Sequence, residues 1–420
     1  MRALHDVWAA AGGDEGKLER VEFRGPDHAL PSCFNATPVA AGVTAAAALA
    51  GTQPSRLVVD TTHAALSCRS ERYLRATETI HRPDVLGGDN PTADGWIRVH
   101  SLYAHHRAAA SRVLGVVEER DPWVAAIREW KAVDLETAVV EAGGASGAMR
   151  TLDEWLAHPH GSQVRDLPLV VTAPTGDAPA MNVEGARIVD LTRVIAGPTS
   201  TKYLAACGAD VVRVEPPAFD ELPVLTVDTG FGKSVARLDL RDADDRATFE
   251  GMVRSADALV HGLRPSALDR LGYGEDALRS LRPGLVTGTL SAWGSAGPWA
   301  ERRGFDALVQ MASGIAAEGM ARANADRPFP LPMQLLDHAT AYLLATGIAL
   351  ALRNEGARRV EVSLARTAAW IQDLGTVDAL DVPEPSGETV ASYVSTMDSP
   401  WGELRYLRPV GADYRSPPPR

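Results

Sequence analysis

The chain has 420 residues, with 42 Lys and Arg against 54 Asp and Glu, for a net charge of −12. That deficit of cations excludes a general nucleic-acid binder, and 45% apolar against 23% charged residues excludes a disordered chain. Three widely spaced cysteines, Cys33, Cys68 and Cys207, suit neither a disulfide framework nor a metal knuckle, so a cytoplasmic protein without a metal site is expected.

The first twenty residues hold two Asp and two Glu and no continuous apolar stretch, unlike a secretory signal. Ala-rich apolar runs at 39–50 and 339–352 fall short of the roughly 20 residues that cross a bilayer, so both are expected as buried helices and no membrane partner is expected. Residues 36–66 align without a gap on residues 339–369. In each block an Ala-rich helix, a polar turn, an Arg, a strand and a second Ala-rich helix follow in turn, which points to an internal duplication. Residues 166–184, with three prolines and no helical period, are expected to form a linker. Beyond them, GARIVDLTRV, DVVRVE, SVARLDL, DALVHGL and GLVTGTL read as short apolar strands. They alternate with helix-compatible stretches such as DADDRATFEGMVRSA, which predicts an α/β fold with a doubly wound, Rossmann-like parallel sheet.

Several motifs fail on inspection. Gly232-Lys233-Ser234 resembles the end of a phosphate loop, but Val227 stands where glycine is needed and a strand follows instead of a helix. Gly272 and Gly274 lack a preceding strand. His100, His105 and His106, and likewise His158 and His160, lack zinc-helix spacing and read as surface or packing residues. Asp337 differs, because it follows PFPLPMQLL, whose prolines oppose helix, and precedes HATAYLLATGIALALR. As an N-cap it would be worth about 1 kcal/mol to the helix. The same free amides and positive helix end would also keep its carboxylate ionised and aimed, as a nucleophile requires.

Four blocks in succession, GARIVDLTRVIAGPTSTKYLAACGADVVRVEPP, GKSVARLDLRDADDRATFEGMVRSADALVHGLRPSALDRLGYG, SAWGSAGPWAERRGFDALVQMASGIA and LDHATAYLLATGIALALRNEGARRVEVSLARTAA, resemble the class III (CaiB/BaiF-type) coenzyme A transferases. That family includes formyl-CoA transferase, carnitine CoA-transferase and 2-methylacyl-CoA racemases. The resemblance implies that Asp337 is the nucleophile, working through an aspartyl anhydride and an aspartyl-CoA thioester. It further implies that Val194, Ile195 and Ala196 line the pantetheine end of the site, while Lys233, Arg264 and the backbone near Arg213 face the nucleotide. Coenzyme A or acyl-CoA would be substrate with no permanently bound cofactor, a carboxylic acid would be the acceptor, and a homodimer is expected.

DGWIRVHSLYAHHRAAASRVLG and the segments after it resemble the family's small α/β domain, which normally follows the catalytic helix. The reading is therefore two reduced, fused copies: residues 1–165, with the small domain at about 90–165, and residues 185–420, with the nucleotide-binding sheet, the catalytic helix and a return strand. Phe34 and Asn35 replace Asp337 and His338 in the first copy, so one active site is expected per chain. Phe305 stands where the racemase branch has histidine. An acyl-CoA racemase or isomerase and a non-catalytic acyl-CoA-binding subunit are the alternatives.

Overall fold

The computed structural model describes residues 1–81, 84–218 and 221–420. Strands β1 (Val171–Gly176), β2 (Arg187–Leu191), β3 (Asp210–Glu215), β4 (Lys233–Arg237), β5 (Ala258–His261), β6 (Val286–Ser291) and β7 (Ala357–Ser363) form one sheet, ordered β4-β3-β2-β5-β6-β7-β1. From β2 onward the six strands are parallel and follow the order of a dinucleotide-binding doubly wound fold. Their apolar, β-branched sequences suit strands buried on both faces. β1 closes the edge antiparallel to β7, pairing Val171 with Glu361. This corrects the expected linker at 166–184. The run Val170, Val171 and Thr172 has strand propensity that outweighs its prolines, and Pro174 is tolerated on an edge strand, where a missing amide is harmless.

Three helices hold the core together: α1 (Ala36–Thr52), α2 (Ala196–Ala206) and α3 (Leu335–Arg353). α3 is buried from Leu335 to Leu352 and packs on α1, on α2 and on β6 and β7. It is long and apolar enough to cross a membrane by composition alone, and its apolar window lies entirely inside the protein. Glycine at two positions sets how close it comes to the sheet. A Cβ on Gly347 would lie 2.6 Å from Val360 Cγ1, and one on Gly288 would lie 2.8 Å from Ile348 Cδ1.

The two aligned blocks adopt the same succession. α1 leads to the strand Leu57–Asp60 and the helix Thr61–Ser67, as α3 leads to β7 and the helix Leu364–Asp373. The first block's strand joins Val21–Arg24 in a two-stranded parallel sheet. Between the blocks, strands Asp89–Pro91, Trp96–Val99 and Ser146–Ala148 form an antiparallel sheet. With three helices it encloses its own core around Ile97, Trp123, Leu135 and Val139. The final hairpin, Val394–Ser399 with Gly402–Leu407, returns to pair with Arg75–Ala76.

The halves therefore share one core instead of meeting at a surface. A fragment of residues 185–420 lacks both β1 and α1, and so opens a sheet edge and one side of an almost wholly apolar helix. It should be recovered mainly as aggregate, and co-expression with residues 1–184 should restore soluble material. A monodisperse, cooperatively unfolding 185–420 fragment would show that the shared core is dispensable.

Candidate functional site

Strands β2 and β5 are neighbours at the sheet's centre, but the chain leaves them in opposite directions, toward β3 and β6. This divergence opens a crevice at the strands' carboxyl ends, where open α/β sheets take their ligands. A cavity of about 360 Å³ occupies it. Its walls are the segment after β2, with Arg193, Val194 and Ala196, the loop 262–265 after β5, and the segment 302–305. Tyr103, His105 and His106 close it from the N-terminal half, and Asp337 lies within it. A second cavity of about 240 Å³ shares Leu263, Pro265 and Ser291 with the first, but Arg359 holds its Glu275 and Glu361.

Asp337 does not cap its helix. Chain extension ends at Gln334, which takes the N-cap position, so α3 starts at Leu335 and Asp337 is the third helical residue. Its amide donates to Asp306 Oδ2 at 3.0 Å. Asp306 begins the helix Asp306–Ala312 and also accepts from Gln310 Nε2 at 2.5 Å, while Gln310 Oε1 accepts from the Leu331 amide at 2.8 Å. The expectation that the helix end keeps Asp337 ionised is also corrected. Burial, the nearby Asp306 carboxylate and the nearby Glu71 carboxylate push its carboxyl well above the ordinary range. Asp306 is pushed up to about 6 by burial, against the bonds that it accepts.

Asp306 and Glu71 are the neighbours that sequence reading missed. Asp306 stood beside the noted Phe305 without a role, and Glu71 sits far from any motif in a short turn. His338 faces away from the cavity, with Nε2 3.3 Å from Glu71 Oε2. Phe305 lies flat against His100, their ring centres 3.6 Å apart. The histidines of this wall are more than scattered packing residues, since His105 and His106 line the cavity. Burial pushes His100 and His106 down to about 3, so both are neutral at physiological pH.

Of the residues expected to meet coenzyme A, Val194, Ala196 and Arg264 line the cavity, and Ile195 is buried just behind it. Val194 adopts φ +70, a strained conformation for a β-branched residue, and its amide donates to Glu221 Oε2 at 3.2 Å. Arg264 is exposed, and its charge, after burial, helps to lower Arg303 beside it. Neither has an ion-pair partner among the described residues, so an anion between them would relieve repulsion. Arg302 is engaged already, 3.2 Å from Glu136 and 4.0 Å above the Trp299 ring.

Lys233 and Arg213 lie outside this cavity. Lys233 is fully buried, and its ammonium donates to Asp190 Oδ2 at 2.9 Å, Pro198 O at 2.8 Å and Thr201 Oγ1 at 2.7 Å. Asp190 also accepts from the Thr192 amide at 2.8 Å. The lysine expected at the nucleotide is therefore an internal strut that ties β2, β4 and α2 together beneath the segment lining the cavity. Burial, countered by Asp190, lowers it to about 8. Arg213 is buried too, and pairs with Glu215 at 2.7 Å.

These placements separate two effects. Lys233→Met strands a buried Asp190 and should cost about 3–5 kcal/mol in urea unfolding. By the nucleotide contact that the resemblance implies, Arg264→Ala should leave the unfolding midpoint unchanged and weaken coenzyme A binding by about 1.5–3 kcal/mol in calorimetry. Equal stability of the two variants would contradict the assignment.

Comparison with known proteins bears on the same region. The model of CoA-transferase family III matches residues 183–396, just over half of the chain. Acetyl-coenzyme A transferase nodX of Hypoxylon pulicicidum is 31% identical over 210 residues, 48% of this chain and 35% of its own length. The acetyl-CoA:oxalate CoA-transferase of Acetobacter aceti is 35% identical over 156 residues, 34% of this chain and 40% of its own. A crystal structure of Rv3272 from Mycobacterium tuberculosis aligns with 30% identity and a TM-score of 0.42, covering 47% of this chain and 58% of that one. The chain thus spans about a third to three-fifths of the relatives' lengths. On the extent of the family match, the chain belongs to CoA-transferase family III.

Proposed function

We propose that the protein moves coenzyme A from an acyl-CoA to a free carboxylate, with Asp337 as the covalent nucleophile. The supporting observation is the position of Asp337, the one carboxylate among the residues lining a cavity at the sheet's ligand crevice, with Arg264 and Arg303 nearby and without an ion-pair partner among the described residues. The names of the relatives agree in substrate class, because one acts between acetyl-CoA and oxalate.

In the first step the Asp337 carboxylate attacks the thioester carbonyl, and a mixed anhydride forms as the C–S bond breaks and the thiolate leaves. That thiolate then attacks the Asp337 carbonyl, releases the first acid as its carboxylate and leaves an aspartyl-CoA thioester. An acceptor carboxylate repeats the two steps in reverse and regenerates the Asp337 carboxylate. Each stage exchanges one activated acyl bond for another, so covalent catalysis divides the transfer without any net proton change. Water must be kept out, since the anhydride and thioester would otherwise hydrolyse. Tyr103, His105, His106 and Phe305 form the wall that serves this role.

A racemase would need a base facing the substrate's α-carbon. His338 is directed at Glu71 and so does not supply it. His105 and His106, both lowered by burial, leave general-base chemistry as the outcome to be tested.

With acetyl-CoA and a panel of carboxylic acids beginning with oxalate, Asp337→Asn should lower transfer by at least about 10³-fold. Its thermal midpoint should rise or stay level, because a neutral amide replaces a buried carboxyl. Only the carboxylate attacks, and the carboxyl is raised, so kcat/KM should climb with pH along an acid limb lying above the ordinary carboxylate value of about 4. Solvent deuterium at the α-carbon without CoA transfer would favour the racemase, and full activity of Asp337→Asn would sink the proposed nucleophile.

A further inference from the structure

The family match begins at residue 183, yet one residue beside the nucleophile comes from well before it. The short turn Ser70–Arg72 meets the start of α3 through Glu71 and His338 and through Arg72 and Gln334, and it is anchored at its start. Arg69 pairs with Glu384 at 2.5 Å, and Ser70 Oγ donates to Asp228 Oδ2 at 2.9 Å. Lys202 of α2 holds the same Asp228 oxygen at 2.9 Å. Glu71 directly follows these two anchored residues, and its side chain is 11% exposed. One carboxylate oxygen faces His338 Nε2 at 3.3 Å, while the other accepts no hydrogen bond among the described residues and lies 3.8 Å from Arg72 Nε.

We infer that Glu71 is a positioning residue for the nucleophile: it clamps His338 at the first turn of α3 and places an incompletely neutralised negative charge beside Asp337. The inference rests on the reading of Asp337 as nucleophile, and it extends the working site into the half of the chain outside the family match. Chemically, a carboxylate beside a second carboxylate is harder to ionise, and once ionised is a better nucleophile because its proton affinity is higher. Ionisation then becomes favourable when cations approach. The groups around Asp337 sort by this effect. Asp306, on the helix Asp306–Ala312, and Glu71 oppose its ionisation, and His338 is its own helix neighbour. Across the cavity stand Arg193, Arg264, Arg302 and Arg303, with Tyr103 and the histidines His105 and His106. Coenzyme A phosphates would occupy some of those cations, leaving Glu71 and Asp306 as the carboxyl groups that keep Asp337 basic.

The test is a titration of Asp337 itself in the full-length protein labelled with ¹³C at aspartate carboxyls, the signal being assigned by its loss in Asp337→Asn. Glu71→Gln keeps a hydrogen-bonding partner for His338 and removes the charge, so the Asp337 midpoint should move to lower pH. Glu71→Asp retains the charge one methylene further away and should move it less in the same direction. In turnover of acetyl-CoA with oxalate, the acid limb of Glu71→Gln should shift to lower pH by the same interval. An unchanged or higher midpoint in either folded variant overturns the inference, and so does loss of folding in both, which would make Glu71 a purely structural residue. The titration needs no acyl-CoA. Absence of transfer would therefore count against the proposed function alone, whereas an unmoved midpoint would count against Glu71 alone.

Discussion

Three carboxyl groups held out of water near one helix end are the constraint around which this structure is organised. Asp337, Asp306 and Glu71 come from α3, a neighbouring helix and a turn of the N-terminal half, and bringing them together is electrostatically unfavourable. The fold tolerates the arrangement because two of the three carboxyls are tied separately. Asp306 accepts from the Asp337 amide and from Gln310, and Glu71 faces His338. Asp337 alone is left with its carboxyl toward the cavity, and its high proton affinity is the property a carboxylate nucleophile gains from such surroundings. The strain at Val194, which lines the same cavity, is a second cost borne there.

The rest of the chain fixes this point in space. α3 is held between the sheet on one side and α1 and α2 on the other, so its first turn cannot shift without disturbing the shared core. The buried pair of Lys233 and Asp190 secures the segment after β2 from beneath. The N-terminal half contributes at three levels: β1 and α1 to the core, Glu71 to the surroundings of Asp337, and Tyr103, His105 and His106 to the cavity wall. Where a protein splits a site between two halves of one chain, the connection sets the local concentration of one for the other. Here the interleaved strands and helices make the halves inseparable in structure as well.

What the sequence disclosed followed local rules. Strands β2 to β7 were visible because buried parallel strands are short apolar runs, and Asp337 was visible because prolines fix where α3 begins. The failures came from partners far apart in sequence. Lys233 sits in a fragment of a phosphate loop, and nothing local says that Asp190, forty-three positions earlier, takes its charge. The prolines of residues 166–184 point to a linker, whereas pairing with β7 across a distant part of the chain makes a strand of Val171–Gly176. Burial reversed the expected charge state of Asp337, since the helix N-terminus contributes less than desolvation and two neighbouring carboxylates. Glu71 had no signal at all, because only tertiary packing places that turn against α3.

Covalent trapping tests the central claim most directly. The protein is incubated with acetyl-CoA, quenched with hydroxylamine, digested and mapped by mass spectrometry. If Asp337 carries the activated acyl bond, its peptide alone should acquire a hydroxamate, only when acetyl-CoA is present, and the modification should be absent from Asp337→Asn. A hydroxamate on Asp306, Glu71 or any other carboxylate, or transfer proceeding with no modified residue, would contradict the account.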